Sequence, residues 1–200
     1  MVKLLTLVLI VEGDKVLLAM KKEGFGKGKW NGLGGKVKPE ETIEQAAKRE
    51  AREEACVRIM EMKKLGIVQF RFRGSRTVRE MHIFKATKYS GKPGETKEMR
   101  PKWFNLNKIP FGKMWPADRN WMRMFLLGKQ FRGRVLYGEK YGTVKKHSVI
   151  SNEVVEARIR NQIKMVATKH TRPALKPLTQ RIPSARGCGY APRPLRRRGA

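Results

Sequence analysis

"GGKVKPEETIEQAAKREAREEACV", residues 34–57, gathers four carboxylates around one short helix in a chain with 46 Lys and Arg against 17 Asp and Glu. Glu41 stands just before the helix, and Glu50, Glu53 and Glu54 lie on it. The helix is expected over roughly Thr42 to Ala55. Thr42 can serve as N-cap, with Gln45 three residues on to close a capping box. Ile43, Ala46, Ala47 and Ala51 form an apolar stripe that can seat it on a sheet. Positions i, i+3 and i+4 share a helix face, so Glu50, Glu53 and Glu54 fall on one patch. Carboxylates packed this closely raise one another's pKa unless a cation sits among them. Hard, oxygen-only donors of this kind suit Mg²⁺ or Mn²⁺, with waters and substrate phosphates completing the shell. A solvated helix face is the plainer alternative. Arg49 and Glu41 could pair to orient the array from behind, and the glycines just upstream let backbone come close to a metal or phosphate.

Outward from this helix, strands are expected at about 3–11 and 15–21, joined by a turn at "EGDK". The stretch "EGFGKGKWNGLGGK" follows, in which six of fourteen residues are glycine. Beyond the helix, apolar-rich strands are expected at about 64–73, 78–88 and 101–106. "WPADRNWMRMFLL" reads as a second helix whose Trp121, Met122, Met124, Phe125 and Leu126 pack inward. "FRGRVLYG" and "TVKKHSVIS" read as a closing hairpin. The order is β-rich with interspersed helices and no βαβ repeat. It predicts an α+β fold, a mixed β-sheet sandwiched between helices.

The start, "MVKLLTLVLIVEGD", is basic and then apolar, like a signal peptide. It lacks a small-residue cleavage site, and a second apolar run, "KVLLAMKK", follows it, so two strands and a turn are the expectation. No apolar run reaches the roughly 20 residues that cross a bilayer, and no membrane association is expected. Two cysteines, Cys56 and Cys188, cannot build a disulfide framework, which suits a reducing, intracellular setting.

A net charge of +29 points to a polyanionic partner, nucleotide or nucleic acid. Residues 157–200 hold 12 Lys and Arg, five prolines and no acid. One domain is therefore expected over 1–156, with 157–200 a basic, largely disordered tail suited to non-specific nucleic-acid contact. Its first part differs: Val155, Ile159, Ile163 and Val166 recur at helical spacing, so a helix near 152–168 is expected.

Gly35, then Glu41 after five residues, then Arg49-Glu50-Ala51-Arg52-Glu53-Glu54 after seven more, resembles the Nudix hydrolase signature. One position departs from it: Cys56 stands where the family has glycine. "LTLVLIVEGDKVLLAMKKEGFGKGKWNGLGGKV", "EMRPKWF" and "IPFGKMWPADRNW" extend the resemblance to the animal-type oxidised purine nucleoside triphosphate hydrolases, the 8-oxo-dGTPases of the MutT group. It covers about residues 3–156.

The resemblance implies a monomeric enzyme that releases a nucleoside monophosphate and pyrophosphate from a purine nucleoside triphosphate, with a metal neutralising the phosphates and activating water. The implied metal ligands are the Gly34 carbonyl, Glu50, Glu53, Glu54 and Glu98, and Glu53, Glu54 and Glu98 are the candidate catalytic carboxylates. The implied substrate pocket takes Thr6 and Lys21 from the first strands and Phe25, Asn31, Leu33, Gly34, Gly35 and Lys36 from the glycine-rich loop. Phe70 comes from a later strand, and Trp115, Pro116, Ala117 and Asp118 from the second helix's start, with Trp115 stacking on the base.

The family's "WPDD" is "WPAD" here, so Ala117 replaces one of two aspartates that read the purine edge. A lost hydrogen bond of that kind costs about 1–3 kcal/mol. Two functions compete: a cytoplasmic, nuclear or mitochondrial enzyme that clears 8-oxo-dGTP and 2-oxo-dATP from the nucleotide pool, and a nucleic-acid-associated Nudix protein, such as an RNA-cap hydrolase or ribonucleoprotein component, that uses the basic tail.

Overall fold

Strand β1 (Val2–Glu12) sends alternate side chains into two separate cores. Leu7 and Leu9 face one layer, Val8 and Ile10 the other, and all four are buried. This is the period-two alternation of a strand covered on both faces. The chain turns at Gly13, whose φ of +55° suits glycine, and returns as β2 (Lys15–Lys21), antiparallel to β1. The computed structural model describes residues 1–138, 142–154, 157 and 160.

Two strands flank β2 on its way out of the sheet, β3 (Trp30–Asn31) and β6 (Met99–Asn105). On the other side of β1 lies β5 (Val78–Ser90), parallel to it from Val2↔Val78 to Ile10↔Ala86. Next come β4 (Arg58–Phe72), β7 (Phe131–Tyr137) and β8 (Val144–Ser151), giving the order β3-β2-β1-β5-β4-β7-β8. The sheet is mixed, since β1–β5 and β4–β7 are parallel and the other pairs antiparallel.

Helix α1 (Ile43–Ala55) covers one face. Its buried Ala46, Ala47, Ala51 and Ala55 carry almost no bulk, so the helix backbone sits close to the sheet, against Val8, Ile10 and Phe84. Helix α2 (Asp118–Leu126) covers the opposite face with Trp121, Met122 and Phe125 fully buried. Each such large side chain contributes roughly 1.5–3 kcal/mol of burial. The expected sandwich of a mixed sheet between helices is the fold found.

Thr42 and Gln45 form the expected capping box. The helix ends at Cys56, which adopts φ 59°, ψ 22°. The strand expected from residue 64 begins at Arg58, because β4 runs on through register shifts near Ile59–Met62 and Lys64–Gly66. The two-residue β3 was not expected in the glycine-rich stretch. The four apolar positions of the helix expected near 152–168, and the basic tail from 161 with Cys188, lie outside the described residues. No helix among the described residues is long and apolar enough to cross a membrane.

Candidate active site

Arg49 is the hub of the acidic helix. Its Nε and Nη2 donate to the two oxygens of Glu41 at 2.9 and 2.6 Å, a planar fork on a planar carboxylate. Nη1 donates to both Glu50 and Glu53 at 2.8 Å, and Nη2 also reaches the Lys36 carbonyl at 3.1 Å. One guanidinium thus holds three carboxylates and a loop carbonyl in fixed relation. Hydrogen bonding from Arg49 lowers the Glu41 pKa to about 2. Gly35 lies so close that a Cβ there would sit 2.5 Å from Glu50 Oε1, so any larger residue would push the carboxylate out of its place beside Arg49.

Glu54 faces differently from its helix neighbours. It is buried, accepts from the Gly34 N–H at 2.8 Å, and lies 3.7 Å from Lys21 Nζ. Burial pushes its pKa to about 7, the Gly34 bond and Lys21 pull it down, and the charges of Glu50 and Glu98 push it up again. Lys21 donates to Glu98 at 2.8 Å across 77 residues of sequence. Burial opposes the Lys21 charge, but the Glu98 bond and the field of Glu54 outweigh it and raise its pKa. Glu98 is lowered in turn by the same bond.

Among the described residues, no three Asp, Glu, His or Cys side chains are already gathered as a metal cage. Arg49 and Lys21 instead divide the carboxylates between them. The donors are all hard oxygens, and the buried Glu54 carries its charge at a cost, since burial raises its pKa and the charges of Glu50 and Glu98 add to the rise. That chemistry fits a hard divalent cation.

Glu54, Lys21 and Glu98 line a cavity of about 670 Å³ together with Thr6, Asn31, Gly34, Gly35 and Lys36. The same cavity is lined by Phe25, Phe70, Trp115, Ala117 and Asp118. Thr6 is tied to the loop, its N–H donating to the Gly35 carbonyl at 2.9 Å. Phe25 stacks on Trp115 at 5.0 Å, and Lys29 Nζ lies 5.2 Å from the Trp115 ring. Asp118, wholly buried, accepts from Trp121 Nε1 and from the Trp115 N–H, each at 3.2 Å. Burial pushes its pKa to about 7 despite those two bonds. Burial and the Asp118 charge also raise the Tyr137 hydroxyl.

Two residues expected in the pocket sit elsewhere. The Leu33 side chain belongs to the core beneath α1, because Leu33 pairs with Val8 and faces that layer. Pro116 is not among the cavity residues, and Glu50 and Glu53 lie on the helix face held by Arg49 rather than in the lining. The cavity also takes Phe72, Met81 and Tyr137, which the sequence reading passed over. Phe72 was within reach of it, being two residues from Phe70 on one strand and hence on the same face. Tyr137 carried no such signal. It is brought in by stacking on Phe72 at 5.2 Å.

The NUDIX domain model matches residues 3–125. A zebrafish (Danio rerio) protein named oxidized purine nucleoside triphosphate hydrolase is 52% identical over 131 residues, covering 66% of this chain and 84% of its own. A mouse (Mus musculus) protein of the same name is 46% identical over 138 residues, 69% of this chain and 88% of its own. A MutT protein from Bacillus halodurans superposes with a TM-score of 0.66 at 22% identity, covering 74% of this chain and 97% of its own, which speaks to the fold alone.

Proposed function

This chain belongs to the Nudix family, and on that premise we propose that it hydrolyses oxidised purine nucleoside triphosphates, of the 8-oxo-dGTP and 2-oxo-dATP type, to monophosphate and pyrophosphate. The observation that carries the reading is the shared cavity: the carboxylate Glu54 with Lys21 and Glu98, and the base-sized aromatic wall with Asp118, line one space. A nucleic-acid-associated role for this cavity is not favoured, since the zebrafish and mouse relatives are each named oxidized purine nucleoside triphosphate hydrolase.

Nudix hydrolases generally use divalent cations, and Mg²⁺ or Mn²⁺ is the ion we propose. Glu50, Glu53, Glu54, Glu98 and the Gly34 carbonyl would hold it, and bound there it supplies charge neutralisation of phosphate oxygens and a more acidic water. Arg49 fixes the rotamers of Glu50 and Glu53, so those carboxylates need little reorganisation. Lys21 offers a cation to a phosphate oxygen when Glu98 turns elsewhere. Trp115 offers an indole face to the purine. A base stacking where Phe25 now lies must displace it, and Phe25 is more than half exposed, so that displacement loses little burial. Asp118, poised near neutrality, can accept from a ring N–H when ionised or donate to a base oxygen when protonated.

The test is pyrophosphate release from 8-oxo-dGTP, 2-oxo-dATP, dGTP and dATP with Mg²⁺ or Mn²⁺. Turnover of the oxidised substrates above the normal ones is expected. Failure to release pyrophosphate from any of the four, with either ion, overturns the reading.

A further inference from the structure

The sheet face on the α1 side carries a basic groove that plays no part in the cavity chemistry. On β7, Phe131, Gly133, Val135 and Tyr137 point into the core, which turns Arg132, Arg134 and Leu136 to the opposite face. Register sets Gln69 and Ser148 beside Arg134, and Arg71 and Lys146 beside Leu136. Gln69, Arg71, Arg134, Leu136, Lys146 and Ser148 line a concavity of about 540 Å³.

Its charge has no partner among the described residues. Arg71, Arg132, Arg134 and Lys146 are exposed, and none makes an ion pair or side-chain hydrogen bond among the described residues. The acid beside the groove, Glu80, pairs with Gln69 in register and is already engaged. It accepts from Gln69 Nε2 at 2.8 Å and contacts His82 Nε2 at 3.0 Å. Four exposed cations held on three adjacent strands by backbone pairing repel one another only weakly in water, and a polyanion lying across them gains from all four at once.

The spacing suits a polyanion. Neighbouring strands lie about 4.8 Å apart, so Arg71 on β4 and Lys146 on β8, with β7 between them, stand roughly 10 Å apart at the backbone; Arg132 and Arg134 are about 7 Å apart along β7. Arg and Lys side chains are long enough to converge on one phosphate, but successive phosphates of one strand can each take a cation, which uses all four charges and releases more counterions. Leu136, half-buried in the floor, offers an apolar surface to sugar or base. The geometry points to a non-specific binding surface for the phosphodiester backbone of single-stranded nucleic acid, built from residues of β4, β7 and β8 and lying outside the catalytic cavity.

The experiment uses the full chain and fluorescent 20-nucleotide RNA and DNA of unrelated sequence, titrated by anisotropy at several salt concentrations. Arg71→Gln/Arg134→Gln/Lys146→Gln should weaken binding at least ~10-fold at low salt. It should also flatten the plot of log K against log salt by about 2, at ~0.7 per phosphate contact on a single strand. Arg71→Lys/Arg134→Lys should bind as the wild type does, and nucleoside triphosphate turnover should be unchanged in every variant. The single substitutions Arg134→Gln and Lys146→Gln should each give part of the loss, which keeps the test sound if the triple variant misfolds. Parallel losses for RNA and DNA assign the surface to the shared backbone, and a loss for one alone narrows it to that polymer. Wild-type affinity and salt slope in the glutamine variants overturn the inference. So does displacement of the oligonucleotide by dGTP, or a loss confined to phosphatidylserine vesicles.

Discussion

Asp118 couples the stability of the fold to pH. Its ordinary pKa is 3.8 and burial lifts it to about 7 in the folded chain. Between those values the folded protein holds a proton that the unfolded chain has released. The contribution is therefore fully present below about pH 4 and is lost as pH rises through about 7. At 1.36 kcal/mol per pKa unit this is up to ~4 kcal/mol. Thermal midpoints should fall between pH 4.5 and 8, and Asp118→Asn should flatten part of that fall. Glu54 adds a change of the same sign, so the variant keeps a residual slope, and an undiminished slope would assign the effect elsewhere. Ala117, 2% exposed beside it, lines the same cavity, and on the proposed reading a carboxyl there would face the base. Ala117→Asp should raise kcat/KM for 8-oxo-dGTP by up to ~10-fold, about 1.4 kcal/mol. The gain is bounded because Asp118 near neutrality already supplies a donor in part of the population. A comparison on 8-oxo-dGTP, dGTP and 2-oxo-dATP checks it, and no change would mean another residue donates. Glu53→Gln keeps side-chain volume and the Arg49 contact geometry but removes a charge. It should cost more than the ~10–100-fold typical of residues that merely orient ligands, with the melting curve unchanged. Near-native turnover at saturating Mg²⁺ would remove Glu53 from the ligand set.

Helix α1 shows what can and cannot be read along a chain. Its start is written locally, in the reciprocal bonds between Thr42 and Gln45 at 3.1 and 2.7 Å. Its end is written locally too. Cys56 is the sole non-glycine residue with positive φ among the described residues, and a left-handed L-residue costs roughly 1 kcal/mol. Cys56→Gly should therefore raise ΔG of unfolding by up to ~1 kcal/mol in urea titration without altering turnover, and a destabilised variant would show that the side chain packs favourably. The Glu41–Arg49 pairing also followed from spacing, since both belong to one short stretch. The Lys21–Glu98 contact and the burial of Asp118 did not, because each depends on strands or helices brought together from distant sequence. Strand β4 was seen only in part: its first half, "RIMEMKK", is charged and mostly exposed, so its hydrophobic signal starts only near Leu65. The direction of the Leu33 side chain was hidden for a similar reason, as nothing in a glycine-rich stretch marks which layer it will meet.

At the scale of the whole chain, charge and catalysis separate. Residues 157–200 carry +12 of the +29 and contribute no acid, and every residue of the proposed catalytic cavity lies between Leu5 and Tyr137. Truncation after His170 should leave kcat within about two-fold while reducing affinity for RNA, in line with the fewer phosphates contacted. Loss of turnover in that variant would make the segment part of the enzyme.

The strand order has a further consequence, for the order of events during synthesis. β1 waits for β5, β2 for β6, and β4 for β7. The capped α1 can begin to form from its own sequence soon after it emerges, although a 13-residue helix is only marginal until the sheet covers its alanine face. The aromatic wall closes only when Tyr137 arrives to stack on Phe72. A ribosome-bound chain that has not yet reached β7 already contains Arg49 and its carboxylates in sequence but has no complete cavity for them to serve. Non-local pairing of this kind makes the sheet slow to assemble relative to the helix, and the capacity to select a nucleotide is among the last properties the nascent protein acquires.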